Sequence, residues 1–300
     1  MTDTGTNTPT ELSLCANCGA SLGGGYCAQC GQSRDDIQRR FLPLLTDALD
    51  GILQWDGRFM TTVRELFSRP GHVARDYMEG KRNRYTTPVR LYLIVSLIFF
   101  AAISISGVRI VAIETSMTET GPGIIVQMFQ SGATPSPLEL TQAQLDDYNT
   151  DAGDAGVPRR LSDMALAAAL DPEKVEGEIT SIASQAQILM VIVFALLNLI
   201  LHPKGRLIEH LVYALYFHAA FLPLIAVLII SGTHMPEIIP LAIAVAIMAW
   251  LGFSAFIWAH DRGFYGSSWW GAILRSQALM ILYIFATLFL ALGMTLVVVS

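Results

Sequence analysis

The chain has 300 residues, 53% of them hydrophobic and only 15% charged, with a formal net charge of −6. Soluble domains run nearer a quarter charged, so this balance excludes an ordinary water-soluble enzyme and points to a polytopic membrane protein. The charges are also segregated: residues 1–90 carry eleven Lys/Arg against ten Asp/Glu, and residues 107–185 carry four against twelve. A basic side and an acidic side separated by a bilayer is what the positive-inside rule produces.

Residues 1–13 are small and polar with nothing to bury, and the composition predicts disorder. They lack an apolar core, so no cleavable signal peptide is read there, and the first membrane helix is expected to act as the insertion signal. Within 14–33 lie Cys15-Ala-Asn-Cys18-Gly19 and Cys27-Ala-Gln-Cys30-Gly31, which hold all four cysteines of the protein. Each pair has the CxxCG knuckle form, with glycine where the turn needs a positive φ. Two knuckles supply the four thiolates of a tetrahedral structural zinc site. Disulfides or a redox pair are the alternatives; the expected cytoplasmic location, where thiols stay reduced, disfavours disulfides. Four thiolates leave no open coordination position, so the expected Zn2+ is structural and holds the small fold together.

Residues 36–88 read as a cytoplasmic helical connector. Phe41, Leu44, Leu45, Leu49, Ile52 and Leu53 recur at helical spacing. Such a helix could lie on the membrane, but Asp47, Asp50 and Asp56 favour packing on the protein itself. Asp56-Gly57 breaks the pattern; further helices are predicted over Phe59 to Phe67 and His72 to Met78, separated by the Arg69-Pro70-Gly71 stop. Arg75, Lys81, Arg82, Arg84 and Arg90 then lead into the membrane. They suit anionic lipid headgroups, at about 1 kcal/mol per cation, or serve as topology determinants alone.

Five apolar spans follow at 89–106, 186–201, 211–231, 240–259 and 278–299. Residues 107–185 are expected outside the cell as a small acidic helical excursion, loop-like through Gly121-Pro122-Gly123 and Ser131 to Pro137. Short helices are predicted over Thr141 to Tyr148 and Ser162 to Leu170, and a helix capped by Asp171-Pro172 should run directly into the second span. The loops 202–206 and 260–275 hold the last four cations, which places the N-terminus in the cytoplasm and the C-terminus outside the inner membrane. The predicted fold class is therefore a mainly α membrane protein, a five-helix bundle preceded by a four-cysteine ribbon and an amphipathic connector.

The stretches Phe59-Met-Thr-Thr-Val-Arg-Glu-Leu-Phe-Ser-Arg-Pro-Gly71, Arg75-Asp-Tyr-Met-Glu-Gly-Lys-Arg-Asn-Arg-Tyr85 and Pro88-Val-Arg-Leu-Tyr92 resemble a family of bacterial membrane proteins known as domain of unknown function 3667. Glu209-His-Leu-Val-Tyr-Ala-Leu-Tyr-Phe-His218 is similar to that family's third-span motif, with Tyr216 standing where the family leads one to expect a second histidine. The resemblance implies a cytoplasmic zinc ribbon, this connector and several membrane helices. It implies no activity.

Inside the spans the sharpest polar feature is His218, eight residues and about 12 Å beyond His210 at the helical rise. A buried ionisable group is a functional candidate; the plainer reading is a neutral imidazole bonded to a neighbouring helix. Asn198 could share a hydrogen bond with it, and Pro223, one turn on, frees the Ala219 carbonyl. His202, Glu209, His210, His260 and Asp261 could cluster at the cytoplasmic face, as a metal or proton-linked site or as ordinary interfacial residues. No hydrolase, P-loop or dinucleotide motif is present. Three functional readings follow: a non-enzymatic scaffold or sensor whose ribbon recruits a cytoplasmic protein, a transporter with a polar path near His218, Asn198 and Tyr216, and a membrane enzyme using the face cluster. Nucleic acid is disfavoured as a partner, because no strong basic excess surrounds the knuckles.

Overall fold

The computed structural model describes residues 14–33, 57–118, 121–132, 137–141, 159–236 and 238–299. The disordered reading of 1–13, the amphipathic helix over Phe41 to Leu53 and most of the helix expected over Thr141 to Tyr148 lie outside them. Among the described residues the elements are α1 (Gly57–Ser68), α2 (His72–Met78), α3 (Pro88–Ile105), β1 (Val108–Thr118), β2 (Gly121–Ser131), α4 (Arg159–Leu170), α5 (Pro172–Leu201), α6 (Leu207–Gly232), α7 (Ile239–Tyr265) and α8 (Trp269–Val299). Five helices are long and apolar enough to cross a membrane: α3, α5, α6, α7 and α8. The fold class read from the sequence is what the chain adopts.

The hub is α6. Half of its most apolar stretch is buried, against 11% for α7 and 17% for α8. It packs on α3 and α5, while α8 joins α5 to α7. Around it Tyr77, Leu91, Tyr92, Val191, Phe194, Tyr213 and Phe217 form one continuous core. The peripheral helices instead turn Ile243, Met248, Leu251 and Phe289 outward, more than half exposed. An apolar exterior around a satisfied helical backbone is the arrangement that hydrocarbon requires.

Helix ends follow local chemistry. Asp171 caps α5 by accepting from the Lys174 backbone N–H at 3.1 Å, with Pro172 in the first turn. The helix then runs unbroken for 30 residues, as expected. Likewise α6 continues past Pro223 to Gly232. The polar end of the fourth span differs from the sequence reading: α7 extends to Tyr265, stopped by Gly266 at φ 67°, and α8 starts at Trp269. His260, Asp261 and Arg275 therefore sit on helices, not in a loop, because helical hydrogen bonding outlasts the apolar stretch.

The segment after α3 also departs from expectation. Where a helical excursion with a loop-like first half was predicted, β1 and β2 form an antiparallel hairpin, Val108 opposite Ser131 and Thr118 opposite Gly121. The β-branched residues of Val108–Thr118 fit a pleated surface better than a helix. Val111 and Ile113 pack with Ala168 of α4 in a small separate core. Glu176 on α5 fastens the hairpin, accepting from Arg109 at 2.9 Å and from the Ile113 backbone N–H at 2.6 Å.

At the opposite end, hereafter the ribbon side, α1 and α2 wedge against the bundle. Gly71, at φ 76°, lies so close to α7 that a Cβ would strike the His260 carbonyl, and a Cβ on Gly263 would strike the Pro70 carbonyl. The Arg69-Pro70-Gly71 turn and the last turns of α7 thus meet backbone to backbone. We predict that Gly263→Ala destabilises the protein by about 1–3 kcal/mol, the usual cost of overpacking, since backbone on both sides must shift. Gly252→Ala, in open space on the same helix, should leave thermal unfolding in detergent nearly unchanged; equal melting of the two variants would contradict the interlock.

Candidate functional site

The two knuckles fold alike. Cys15 N–H donates to the Ala20 carbonyl and Cys27 N–H to that of Gln32, each at 2.8 Å, and Gly19 and Gly31 take φ values of 76° and 72°. All four sulfurs lie within 4.8 Å of one another. The Cys15–Cys30 and Cys18–Cys27 sulfur separations are 3.6 and 3.5 Å, close to the ~3.8 Å edge of a tetrahedron with ~2.3 Å metal–sulfur bonds. Cys30 is drawn down to about 6, chiefly by the Gln32 backbone N–H, and Cys27 is drawn down chiefly by that of Cys30. Against the pull of the Ala20 backbone N–H, desolvation and the other three sulfurs push Cys18 up to about 12. Four crowded thiols cannot all ionise without an opposite charge among them. The set can hold a metal ion, and such a cation would supply that charge.

The ribbon is seated on the connector. The Gln32 amide nitrogen donates to the Gly80 carbonyl, and its oxygen accepts from the Arg82 and Asn83 backbone N–H groups at 3.2 and 3.3 Å. The Asn83 side chain donates to the Cys30 carbonyl. A Cβ on Gly80 would come within 2.7 Å of Ala16, so the first knuckle also touches this turn.

Just beyond, Tyr85 holds the wedge together. Its hydroxyl lies 2.8 Å from Glu65 on α1 and 2.9 Å from Asp76 on α2. One phenolic proton cannot serve both carboxylates at once, so neighbouring cations share the load: Arg69 and Arg84 on Glu65, and Lys81 on Asp76 at 2.7 Å. Burial opposes ionisation of Glu65, but the Tyr85 hydrogen bond and the Arg84 and Arg69 charges hold its carboxyl below its ordinary value. Burial likewise opposes ionisation of Asp76, and the bonds from Lys81 and Tyr85 lower it. The network continues into the bundle. Thr86 N–H donates to Thr62 Oγ1 at 2.9 Å, and the Tyr216 hydroxyl donates to the Thr86 carbonyl at 2.7 Å. Tyr216 therefore ties α6 to the connector.

The five basic residues expected to meet lipid headgroups or to set topology lie as follows. Lys81 and Arg84 are in ion pairs, Arg82 offers its backbone to Gln32, and Arg75 lies beside Gly266 at the end of α7. Arg90 is half-buried on the first turn of α3.

His218 is buried with both ring nitrogens engaged: Nδ1 donates to the Ala214 carbonyl at 2.7 Å and Nε2 accepts from the Tyr283 hydroxyl at 2.8 Å. The rings of Tyr92, Phe194 and Phe217 surround it. Asn198 does not reach it and donates to Phe194 in its own helix. Of the expected face cluster, His202 and Asp261 pair at 2.7 Å, His202 stacks on Tyr265, and Tyr265 bonds His210 Nδ1 at 2.6 Å. Glu209 turns back to the Arg206 backbone N–H, and His260 bonds the Phe256 carbonyl. Among the described residues, only the cysteines bring three or more ligand atoms within metal-sharing distance. The geometry there is a polar cluster of paired side chains. The sequence reading missed Tyr265, at the end of α7, and Tyr283, midway along α8. They supply the hydroxyl partners of His210 and His218, and these pairings join residues 55 and 65 positions apart, which no local spacing reports.

Fold and site together define a mainly helical protein with five helices apolar enough to span a membrane, braced at one end by a polar wedge that carries a four-cysteine knob. Residues 56–100, which span the wedge and most of α3, match the family model described as protein of unknown function (DUF3667). No curated protein and no solved structure matches the chain.

The lowered Glu65 and Asp76 carboxyls have a pH consequence. A carboxyl whose folded value is depressed stabilises the fold at pH above its ordinary value, about 4, and that contribution disappears as pH falls through the folded value. Melting measured from pH 7 to 3 should therefore fall more steeply for the wild type than for Glu65→Gln/Asp76→Asn. Parallel curves would show that the wedge contributes nothing through these charges.

Proposed function

We propose that the chain is a non-enzymatic scaffold or sensor of a cell's inner membrane. It would be threaded five times, with the ribbon in the cytoplasm, a structural Zn2+ in the four-cysteine site and the C-terminus outside. The segregated charges support that threading, and the closed thiolate set supports zinc over a catalytic metal. One observation carries the recruiting role. Leu14 and Tyr26, which precede the first cysteine of each knuckle, are 68% and 72% exposed. Large apolar side chains held outward on a small seated knob are suited to docking a protein partner. His218 offers the transport reading little, since neither ring nitrogen is open to a substrate. A membrane enzyme at the ribbon-side end stands second, because His210 Nε2, Asp261 Oδ2 and the Tyr213 hydroxyl are buried without a hydrogen-bond partner among the described residues.

The test uses full-length protein. Wild type should carry about one zinc per chain, the stoichiometry of a closed tetrathiolate site, and Cys15→Ser close to none, with membrane insertion intact. A photo-crosslinker replacing Tyr26 should join a defined cytoplasmic protein in intact cells. That adduct should disappear in the Cys15→Ser background, while a probe at Ser268 gives none. Retained zinc in Cys15→Ser would contradict the metal site, and an adduct-free Tyr26 probe would contradict recruitment.

A further inference from the structure

Helix α1 forms one wall of a cavity of about 330 Å³ lined by Thr61, Arg64, Glu65, Ser68, Arg69 and Arg84. Three guanidinium groups meet a single carboxylate there. Glu65 is already engaged by Arg69, Arg84 and Tyr85. Arg64 makes no ion pair with any described residue and is exposed, as is Ser68. Arg69 and Arg84 each use one guanidinium nitrogen on Glu65, leaving further N–H donors of a planar fork. Fixed guanidinium forks in positive surplus match the several acceptor oxygens of a phosphate group.

The source of that phosphate follows from what flanks it. Met60 and Phe67 are 66% and 43% exposed. They lie four residues before and three after Arg64, hence on the same helical face. The Thr86 to Thr62 bond fixes α1 beside the start of α3, the point where the first apolar helix begins. A helix that shows apolar side chains around an arginine at that level has the character of one lying in a bilayer interface. A soluble phosphate would need no such flank.

We propose that Arg64, Arg69 and Arg84 bind the phosphate of an anionic phospholipid headgroup, with Met60 and Phe67 entering the acyl layer beside it. This rests on the membrane reading above, in which α3 starts at the cytoplasmic leaflet. Arg84 alone also belongs to the basic run at 75–90; it is paired with Glu65 through one nitrogen and keeps its other guanidinium donors for the phosphate.

Native mass spectrometry of the full-length protein in detergent tests it, with phosphatidylglycerol, phosphatidylcholine and inorganic phosphate as probes. Wild type should retain phosphatidylglycerol about tenfold better than phosphatidylcholine. Arg64→Gln should lose a few-fold, on the scale of one headgroup cation, with zinc content and melting unchanged, and Arg64→Gln/Arg69→Gln should lose about tenfold. Met60→Ser/Phe67→Ser should weaken lipid retention and leave any phosphate binding unaltered. Equal retention of the two lipids, or undiminished phosphatidylglycerol binding by the arginine variants, would overturn the site. Displacement of the lipid by millimolar inorganic phosphate, together with wild-type lipid retention by Met60→Ser/Phe67→Ser, would overturn the lipid source in favour of a soluble phosphate. Orientation does not enter a detergent measurement. Reversed threading, read separately by impermeant labelling of Glu139→Cys in intact cells, would therefore leave this result standing.

Discussion

Two backbones touch where Gly71 meets Gly263, and the rest of the ribbon-side architecture depends on that approach. Without a side chain at either position the Arg69-Pro70-Gly71 turn enters between the connector and the end of α7. That entry fixes the direction of α2. It also places Asp76 where Tyr85 can bridge to Glu65, and Thr86 where Tyr216 can hold it. A backbone contact of this kind has almost no tolerance, because neither partner can rotate out of the way. Polar side chains then complete what close approach began.

The consequence is a continuous chain of hydrogen bonds from the ribbon into the bundle. Gln32 and Asn83 seat the ribbon on the turn at Gly80–Asn83, and the turn is continuous with Tyr85, which is clamped by two carboxylates. From Thr86 the path enters α6, the most buried of the five long apolar helices, whose His218 joins α8 through Tyr283. A change at the four sulfurs is thereby connected to the centre of the bundle through a short series of hydrogen bonds. Such a linkage suits a sensor or scaffold better than a flexible tether would.

Much of this was legible in the sequence wherever the signal was local. The CxxCG spacing, the apolar runs, the Asp171-Pro172 cap and the helix from His72 to Met78 each depend on neighbouring residues, and the structure has them. The β-hairpin was not read, since its strands follow an apolar helix and their alternation is weak beside the acidic count of that segment. The wedge was missed for another reason. Glu65, Asp76 and Tyr85 are brought together by two turns of the chain, and no spacing rule reports a carboxylate waiting for a tyrosine twenty residues away. His218 was legible as unusual; that Tyr283 and Ala214 would occupy both of its nitrogens was a matter of tertiary packing.

The claim on which the account stands is that the ribbon, wedge and bundle move as one body when the thiolates are metal-bound. The direct measurement is a distance distribution by double electron–electron resonance between cysteine-free spin labels at Ser21 and Ser268, both exposed on the ribbon side, in the full-length protein in nanodiscs. The account predicts a single narrow distribution with zinc that broadens on chelation or in Gln32→Ala/Asn83→Ala. A broad distribution in the zinc-loaded wild type would contradict it.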